Sequence, residues 1–418
     1  MFKQQTKLTL CVLLIAAIML SCTACVAKVH AADLMEGVKP STTLPTAAKP
    51  TAAQQTANID FALRLFRASN ESGRNTLISP LSVSMALAMT ANGAKGETLA
   101  QMEQTLGMSL DELNAYYLAY RQELENSEVL RLANSIWFTG DERFTVNQGF
   151  LQTNANYYGA GAFRAPFDET TVKDINNWVK EHTNGMIPEI LDEIPADAVM
   201  YLVNALAFEA KWEEEYEKSA IRSGSFTCAN GTERSVEYLW SNESKYLETE
   251  QATGFLKSYK GGRYAFAALL PQEGVSPAEL LNGLSGESLY ALLSEPQTED
   301  VEVALPKFEA SYDTKLSGVL KDMGMALAFD GERADFSGLG TSTGGNISIG
   351  RVLHKTYLSV DETGTKAAAA TVVEMKDEAI AEPGKQVILD RPFVYMIVDT
   401  ETNLPLFIGT MLDPAQGE

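Results

Sequence analysis

The sequence has 418 residues, of which 45% are hydrophobic and 21% are charged, a composition typical of a globular protein with a large core. Its 33 basic and 55 acidic side chains give a formal net charge of −22. An excess of acid repels nucleic acid and anionic membrane surfaces, so we expect neither as a partner.

Residues 1–31 predict a signal peptide. Lys3 and Lys7 precede the apolar run LTLCVLLIAAIML, which is shorter than the ~20 residues that a membrane-spanning helix needs. Two kinds of processing compete. A signal peptidase could cut after Ala31, or Cys22 or Cys25 could become a lipid-modified first residue, as in bacterial lipoproteins. Either way we expect export, to the extracellular space or, with a lipid anchor, to the cell surface.

Residues 32–57 are rich in Pro, Thr, Ala and Lys and predict a flexible tether, because they offer almost nothing large and apolar to bury. Without residues 1–31 the chain keeps 30 basic and 55 acidic side chains, a net charge of −25. Three of its four cysteines lie in the leader, so Cys228 alone belongs to the folded part. Such a chain has no internal disulfide and depends on its core for stability.

Residues 58–418 form one uninterrupted region, which predicts a single large domain. Its first part has apolar residues at helical spacing, where Ser79 is predicted to cap a helix and Pro80 suits the first turn of that helix. Strand patterns follow, including MYLVNALAF (residues 200–208), a continuous apolar run typical of a strand buried on both faces. Helices mostly precede strands, which favours an α+β fold.

Beyond the leader, the sequence contains no catalytic or metal-binding motif in a context that supports its chemistry. Beyond the leader the histidines are His182 and His354, and neither has neighbours at a metal-ligand spacing. A Ser-x-x-Lys pair is absent, and the glycine cluster GLGTSTGGN (residues 338–346), which includes the spacing G-x-S-x-G, lacks the strand–loop–helix context of a nucleophile elbow and predicts a loop. We therefore expect no enzymatic activity, no metal and no cofactor; an exported hydrolase is the remote alternative.

The segment TKAAAATVVEMK (residues 365–376) separates charge from small and apolar side chains when it is read as a strand. One face carries Lys366, Glu374 and Lys376, whereas the other, beginning at Thr365, carries no charge. Alanine favours a surface helix instead. Gly364 before the segment and the β-branched residues from Thr371 to Val373 favour a strand. We interpret it as an exposed segment that is able to join a sheet.

The chain resembles the serpins over essentially all of residues 58–418. The resemblance rests on NTLISPLSVSMALAM, LVNALAFEAKWEEEY, LHKTYLSVDETGT, RPFVYMIVD and PLFIGTMLDP in this order, and on the hinge ETGTKAAAAT (residues 362–371). It implies three β-sheets, eight or nine helices and an exposed reactive loop. It also implies a monomer that inhibits serine proteases as a suicide substrate: the protease forms an acyl-enzyme, and the cleaved loop inserts into the central sheet.

The resemblance assigns roles to particular residues. The hinge comprises Glu362, Gly364, Thr365, Ala367, Ala368, Ala369, Ala370 and Thr371. Lys307 and Trp212 lie with Glu362 at the top of the central sheet. Ser79, Ser82, Asn204 and His354 form a polar network beneath the point where that sheet opens.

The predicted position of the scissile bond depends on the end from which the loop residues are counted. The usual spacing of about 17 residues from Glu362 places Glu378 before the cut and Ala379 after it. Counting back from Pro392 reaches Ala381, so the loop is about three residues longer than is typical. Glu378 suits a glutamate-preferring protease, whereas Ala379, Ile380 or Ala381 suits elastase-like or subtilisin-like enzymes, which we favour. The alternative function is a non-inhibitory serpin acting as a binding or carrier module.

Overall fold

The computed structural model describes residues 30–42, 44, 48–124, 127, 129–140, 142, 144–194, 198–343, 345–365 and 384–417. Several predicted residues lie outside these ranges: the lipidation candidates Cys22 and Cys25, the hinge residues 367–371 and the four scissile-bond candidates 378–381.

Nine α-helices form within these described ranges, and most precede the main run of strands, as predicted. Short polar caps begin several of them. Thr51 and Gln54 form a reciprocal capping box at α1, and the Asp168 carboxylate accepts from two backbone amides at α6. The helices are α1 (Ala52–Ser69), α2 (Pro80–Ala91), α3 (Gly96–Leu106), α4 (Leu110–Leu124), α5 (Gln148–Tyr157), α6 (Glu169–His182), α7 (Pro277–Gly283), α8 (Gly286–Ser294) and α9 (Ser317–Leu320).

The strands form three sheets, which confirms the α+β prediction. The central sheet has eight strands in the order β1-β5-β3-β6-β15-β16-β7, with β13 also paired to β15. Its members are β1 (Ala32–Asp33), β3 (Leu130–Thr139), β5 (Gly161–Ala165), β6 (Met200–Phe208), β7 (Ala210–Lys211), β13 (Phe308–Lys315), β15 (Arg351–Val360) and β16 (Gly364–Thr365).

A nine-stranded sheet packs within the same core, and two further strands pair with each other. The nine are β2 (Thr76–Ile78), β8 (Ile221–Thr227), β9 (Glu233–Glu248), β10 (Ala252–Ser258), β11 (Tyr264–Pro271), β12 (Gln297–Pro306), β17 (Lys385–Ile388), β18 (Phe393–Asp399) and β19 (Leu404–Met411). The two-stranded sheet joins β4 (Phe144–Val146) to β14 (Gly340–Ser342).

The middle of the central sheet is buried on both faces. All nine residues of β6 are buried, as their continuous apolar run predicts. One main core cluster fills the space between the helices and the two large sheets, and a smaller one lies between α6 and the central sheet. No helix in the described ranges is long and apolar enough to cross a membrane.

The structure differs from the predicted flexible tether at both ends of residues 32–57. Ala32–Asp33 pairs with β5, and α1 begins at Ala52 rather than near Asn58. The capping box of Thr51 explains the earlier helix start, because it satisfies backbone groups that the first turn leaves unpaired. Both features depend on a few specific hydrogen bonds, which the composition of the segment does not reveal.

Ser79 also departs from its predicted role as a helix cap. It occupies the N-cap position of α2, but its side chain makes no capping hydrogen bond. Its backbone amide donates instead to the ring of His354. Tertiary contact therefore replaces the local cap at this helix start.

Candidate functional site

The central sheet is paired only partway along its two middle strands. β15 runs parallel to β6, and the pairing extends from Arg351 opposite Tyr201 to Lys355 opposite Ala205. Nearer the carboxyl end of β15, its neighbour is β16, and Val360 lies opposite Thr365. Thr365 in turn lies opposite Ala210 of β7, the continuation of β6. Along the described strands, β6 and β15 are thus joined at one end and separated by the start of the loop at the other.

The first hinge residues are already part of the sheet. Thr365 is fully buried, and its hydroxyl lies 2.5 Å from the Tyr259 hydroxyl, which is also fully buried. Gly364 passes so close to β7 that a Cβ would lie 2.0 Å from the Ala210 carbonyl oxygen. A close backbone approach, and not only freedom to swing, therefore requires glycine at this position.

A tight turn connects β15 to the hinge, and Asp361 organises it. The Asp361 carboxylate accepts hydrogen bonds from the Thr363 amide at 2.7 Å, the Thr363 hydroxyl at 2.7 Å and the Gly364 amide at 3.1 Å. The Asp361 amide donates to the Gly364 carbonyl at 3.0 Å. The turn therefore fixes the direction in which the loop leaves the sheet.

Trp212 lies against this turn, as the resemblance implies. Its indole Nε1 donates to the Asp361 carbonyl at 2.8 Å, and its backbone amide donates to the Thr363 carbonyl at 3.0 Å. Its ring stacks on Tyr259, with centroids 4.5 Å apart and planes 9° apart. Trp212 thus connects the turn to the tyrosine that binds Thr365.

Beneath Trp212 lies a buried ion pair. Lys257 Nζ lies 2.8 Å from Glu243 Oε1, and both side chains are largely buried. The same ammonium lies 4.4 Å from the ring centroid of Tyr216 and 5.5 Å from that of Trp212. Cation–π contacts of this kind position aromatic rings as well as stabilise the charge.

Lys307 and Glu362 form the ion pair that the resemblance implies at the top of the sheet. Lys307 Nζ lies 2.7 Å from Glu362 Oε2 and 3.0 Å from Glu237 Oε2. Burial by itself lowers the pKa of Lys307, but the hydrogen bonds to the two carboxylates outweigh it and raise that pKa. The hydrogen bond from Lys307 lowers the pKa of Glu362. The pair is partly exposed, so its contribution to stability is small.

The four predicted network residues come together at the end of the β6–β15 pairing. His354 lies opposite Asn204 in the register, one row before the pairing stops. His354 Nε2 accepts from the Ser79 amide at 3.0 Å. The Ser82 hydroxyl donates to the Asn204 side-chain oxygen, and the Asn204 amide donates to the Ser82 carbonyl. The network therefore links α2 to both strands where they begin to separate.

Burial determines the charge state of His354. Desolvation lowers its pKa to about 4, so the ring is neutral at physiological pH. A neutral ring is required for Nε2 to accept a hydrogen bond. His354 is thus a structural residue, with a geometry unlike that of a nucleophile's base or a metal ligand. No group of three His, Cys, Asp or Glu side chains that could hold a metal occurs in the described ranges.

Four further residues at this site were not predicted from the sequence: Asn134, Met85, Tyr259 and Asp361. The Asn134 side-chain oxygen accepts from Asn204 at 2.5 Å, and its amide donates to the Met85 sulfur at 2.8 Å. An asparagine on the apolar face of a strand is a signal that could have identified Asn134. The Asp-x-Thr-Gly pattern signals the turn at Asp361. Nothing local in the sequence identifies Tyr259.

Comparison with known proteins gives one consistent result. A family model described as "Serpin (serine protease inhibitor)" matches residues 56–414. An uncharacterised serpin-like protein of Thermococcus kodakarensis is 34% identical over 372 residues, which is 85% of each chain. Leukocyte elastase inhibitor A of Mus musculus is 30% identical and covers 86% of this chain and 98% of its own.

Solved structures agree with these sequence matches. The thermophilic serpin tengpin in its native state is 45% identical, with a TM-score of 0.88 over 92% of this chain and 99% of its own. A structure of tengpin in its latent state gives a TM-score of 0.78 over 88% of this chain, at 43% identity. The described conformation is therefore more similar to the native than to the latent state of that relative.

Proposed function

Because the chain belongs to the serpin family, whose members are generally serine protease inhibitors, we propose that it inhibits serine-type endopeptidases as a suicide substrate. One observation carries the proposal. β6 and β15 are paired up to Lys355, while Gly364 and Thr365 already lie between β7 and β15. A strand that inserted between β6 and β15 would therefore continue directly from Gly364 and Thr365.

The mechanism follows the chemistry of acyl transfer. The serine oxygen of the protease attacks the carbonyl of the scissile bond and forms an ester. The peptide that follows this bond leaves with a new amino-terminus. The freed segment after Thr365 then continues the strand that β16 begins, between β6 and β15. The attached protease moves with the segment and is held as the acyl-enzyme.

Insertion is favourable because of the sequence of the segment. About a dozen new backbone hydrogen bonds contribute roughly 0.5–1.5 kcal/mol each, on the order of 10 kcal/mol in total. Thr365 is buried, and the residues in phase with it are Ala367, Ala369, Thr371, Val373 and Met375. This face carries no charge, so burying it incurs no desolvation penalty of an unpaired ion.

The target is an elastase-like or subtilisin-like protease, whose pocket takes small apolar side chains. The candidates Ala379, Ile380 and Ala381 support this choice. The name of the mouse relative, leukocyte elastase inhibitor A, is in keeping with it. Glu378 would instead direct a glutamate-preferring protease to the same loop.

The experiment is incubation with a panel that contains elastase-like, subtilisin-like and glutamate-preferring proteases. We expect a complex that survives boiling in detergent, and the mass of the released carboxy-terminal peptide identifies the scissile bond. Clean cleavage by every protease, with no covalent complex, would contradict the proposal and favour a binding or carrier module.

A matched pair of variants tests insertion. Thr365→Arg places a charge on the buried face of the hinge, whereas Thr145→Arg places the same charge on an exposed residue of β4. We expect Thr365→Arg to be cleaved as a substrate with most of the covalent complex lost, and Thr145→Arg to inhibit like the parent chain. Equal inhibition by both variants would exclude insertion through Thr365.

A further inference from the structure

A cavity of about 830 Å³ lies beside the carboxyl-terminal residues of the described chain. Parts of the chain that are distant in sequence meet around it: the turn after α1, the hairpin between β8 and β9, the connection from β11 to α7, the residues before β18 and the end of β19. Its size falls within the range of small-molecule sites in proteins. The cavity shares no residue with the hinge, the turn at Trp212 or the His354 network, so it is separate from the candidate functional site.

Thr410 lines this cavity and carries a hydroxyl group that has no partner. Thr410 is only 1% exposed, and within the described ranges its side-chain oxygen makes no hydrogen bond. Its backbone pairs with Val394 on one side and with Thr76 on the other, so the side chain is the part that reaches the cavity. Buried hydroxyl groups are almost always hydrogen-bonded. An unsatisfied hydroxyl on the wall of a cavity therefore indicates a polar group of a ligand as its partner.

Much of the remaining wall is aliphatic. Val275, Pro277 and Ala278 contribute from the start of α7, and Pro392 and Leu412 from the ends of the neighbouring strands. No aromatic side chain occurs among the described residues of the lining, so the cavity offers no ring for stacking. The lining therefore favours a ligand with an aliphatic body, whose burial against these side chains is driven by the hydrophobic effect.

Three of the charged lining residues already have partners of opposite charge. Arg391, the one cation among the described lining residues, is paired with an acid, and two of the lining acids are paired with arginines. These ion pairs are Arg391–Asp390 at 3.1 Å, Glu71–Arg74 at 2.7 Å and Asp413–Arg234 at 3.0 Å. Each pair is locally neutral, so none of them sets the charge of the ligand.

Glu273 and Glu279 are the two lining carboxylates that form no ion pair within the described ranges. The Glu279 carboxylate accepts from the Ser276 amide at 2.9 Å and from the Ser276 hydroxyl at 2.8 Å, and both donors are neutral. Two uncompensated carboxylates on a chain with a net charge of −22 attract cations and repel anions. The charged end of a ligand in this cavity is therefore a cation.

We propose that this cavity binds a small aliphatic amine that also carries a hydrogen-bonding group. The protonated amine lies near Glu273 and Glu279, which are exposed, and the hydrogen-bonding group contacts the buried Thr410 hydroxyl. The aliphatic body lies between these two ends, against Val275 and Leu412. An ω-amino alcohol is the simplest molecule of this class.

The test is binding of three eight-carbon probes to the full chain, measured by ligand-observed NMR. The probes are 8-aminooctan-1-ol, octylamine and 8-hydroxyoctanoate, which share the aliphatic body and differ in their end groups. We expect the amino alcohol to bind about threefold to tenfold more tightly than octylamine, because it makes one additional hydrogen bond. We expect 8-hydroxyoctanoate to bind most weakly, because its carboxylate is repelled by the two glutamates.

Thr410→Val tests the contact with the hydroxyl while it keeps the shape of the side chain. We expect this variant to bind the amino alcohol no more tightly than octylamine, with its affinity for octylamine unchanged. We also expect the Tm of the free protein to stay the same or to rise, because the hydroxyl has no partner to lose.

Glu273→Gln/Glu279→Gln tests the charge. We expect it to weaken the binding of both amines by about tenfold. Gln at position 279 is able to keep the capping box with Ser276, so α7 should remain folded. The control is Glu250→Gln/Glu287→Gln, which makes the same change of charge at exposed residues outside the lining and should bind like the parent chain.

Three results would overturn the proposal. The first is no saturable binding of either amine, and the second is binding of 8-hydroxyoctanoate as tight as that of the amino alcohol. The third is equal affinity of the parent chain and Thr410→Val for the amino alcohol. The assay contains no protease, so its outcome is independent of whether the chain inhibits one.

Discussion

Tyr259→Phe is the sharpest test of how the hinge is held before cleavage. The substitution removes one hydroxyl and keeps the ring that stacks on Trp212. It leaves the Thr365 hydroxyl buried without the partner that lies 2.5 Å away. A buried hydroxyl that loses its partner costs about 1–3 kcal/mol.

The size of the thermal shift follows from the size of the domain. Unfolding entropy of ~2.1 cal/mol/K per residue, taken over residues 56–414, gives roughly 0.75 kcal/mol per degree. We therefore expect Tyr259→Phe to lower the Tm of the intact form by about 1–4 °C. The measurement is a fluorescence-detected melt of intact protein at one scan rate.

The double variant Tyr259→Phe/Thr365→Val makes the test specific. Replacing both partners with apolar groups of similar shape is nearly neutral, so most of the lost stability should return. The coupling free energy between the two sites should then exceed about 0.5 kcal/mol. If the two single substitutions simply add, the hydroxyl pair does not hold the hinge and the reasoning fails.

Three further predictions concern the same sheet. Because the pKa of His354 falls from 6.5 to about 4 on folding, the unfolded chain binds more protons between these values, and stability should drop by about 2 kcal/mol from pH 7 to pH 5; urea unfolding measures this, and a His354→Gln variant with the same dependence would contradict it. Gly364→Ala should cost about 1–3 kcal/mol because its Cβ overlaps the Ala210 carbonyl, whereas Gly318→Ala, with open space around it, is the melting control; equal Tm values would refute the close approach. Loop-cleaved protein should melt well above intact protein, and identical melting curves would mean that no strand had been added.

Much of the architecture is readable from local pattern. The apolar run of β6 predicts burial on both faces, and all nine residues are buried. The uncharged face that begins at Thr365 predicts an inward side chain, and Thr365 is fully buried. Both burial patterns can be predicted because side chains alternate between the two faces of a strand with a period of two residues, which is visible in the sequence.

The predicted tether shows where composition is insufficient. Residues 32–57 lack large apolar side chains, yet Ala32 and Asp33 join the sheet, and Thr51 begins a helix. A few hydrogen bonds to particular partners outweighed the average character of the segment. One of those partners, the carbonyl of Ala162, lies 128 residues from the Leu34 amide that donates to it.

By itself the sequence determined the order of helices and strands, the family resemblance and the face of the hinge that avoids charge. These are local properties, set by the spacing of side chains along a few residues. Only the tertiary structure decided that Tyr259 meets Thr365 across 106 residues, that Asn134 meets Asn204 across 70, and that β6 and β15 stop pairing above Lys355. Contacts at such separations depend on how the whole core closes, and no short stretch of sequence contains that information.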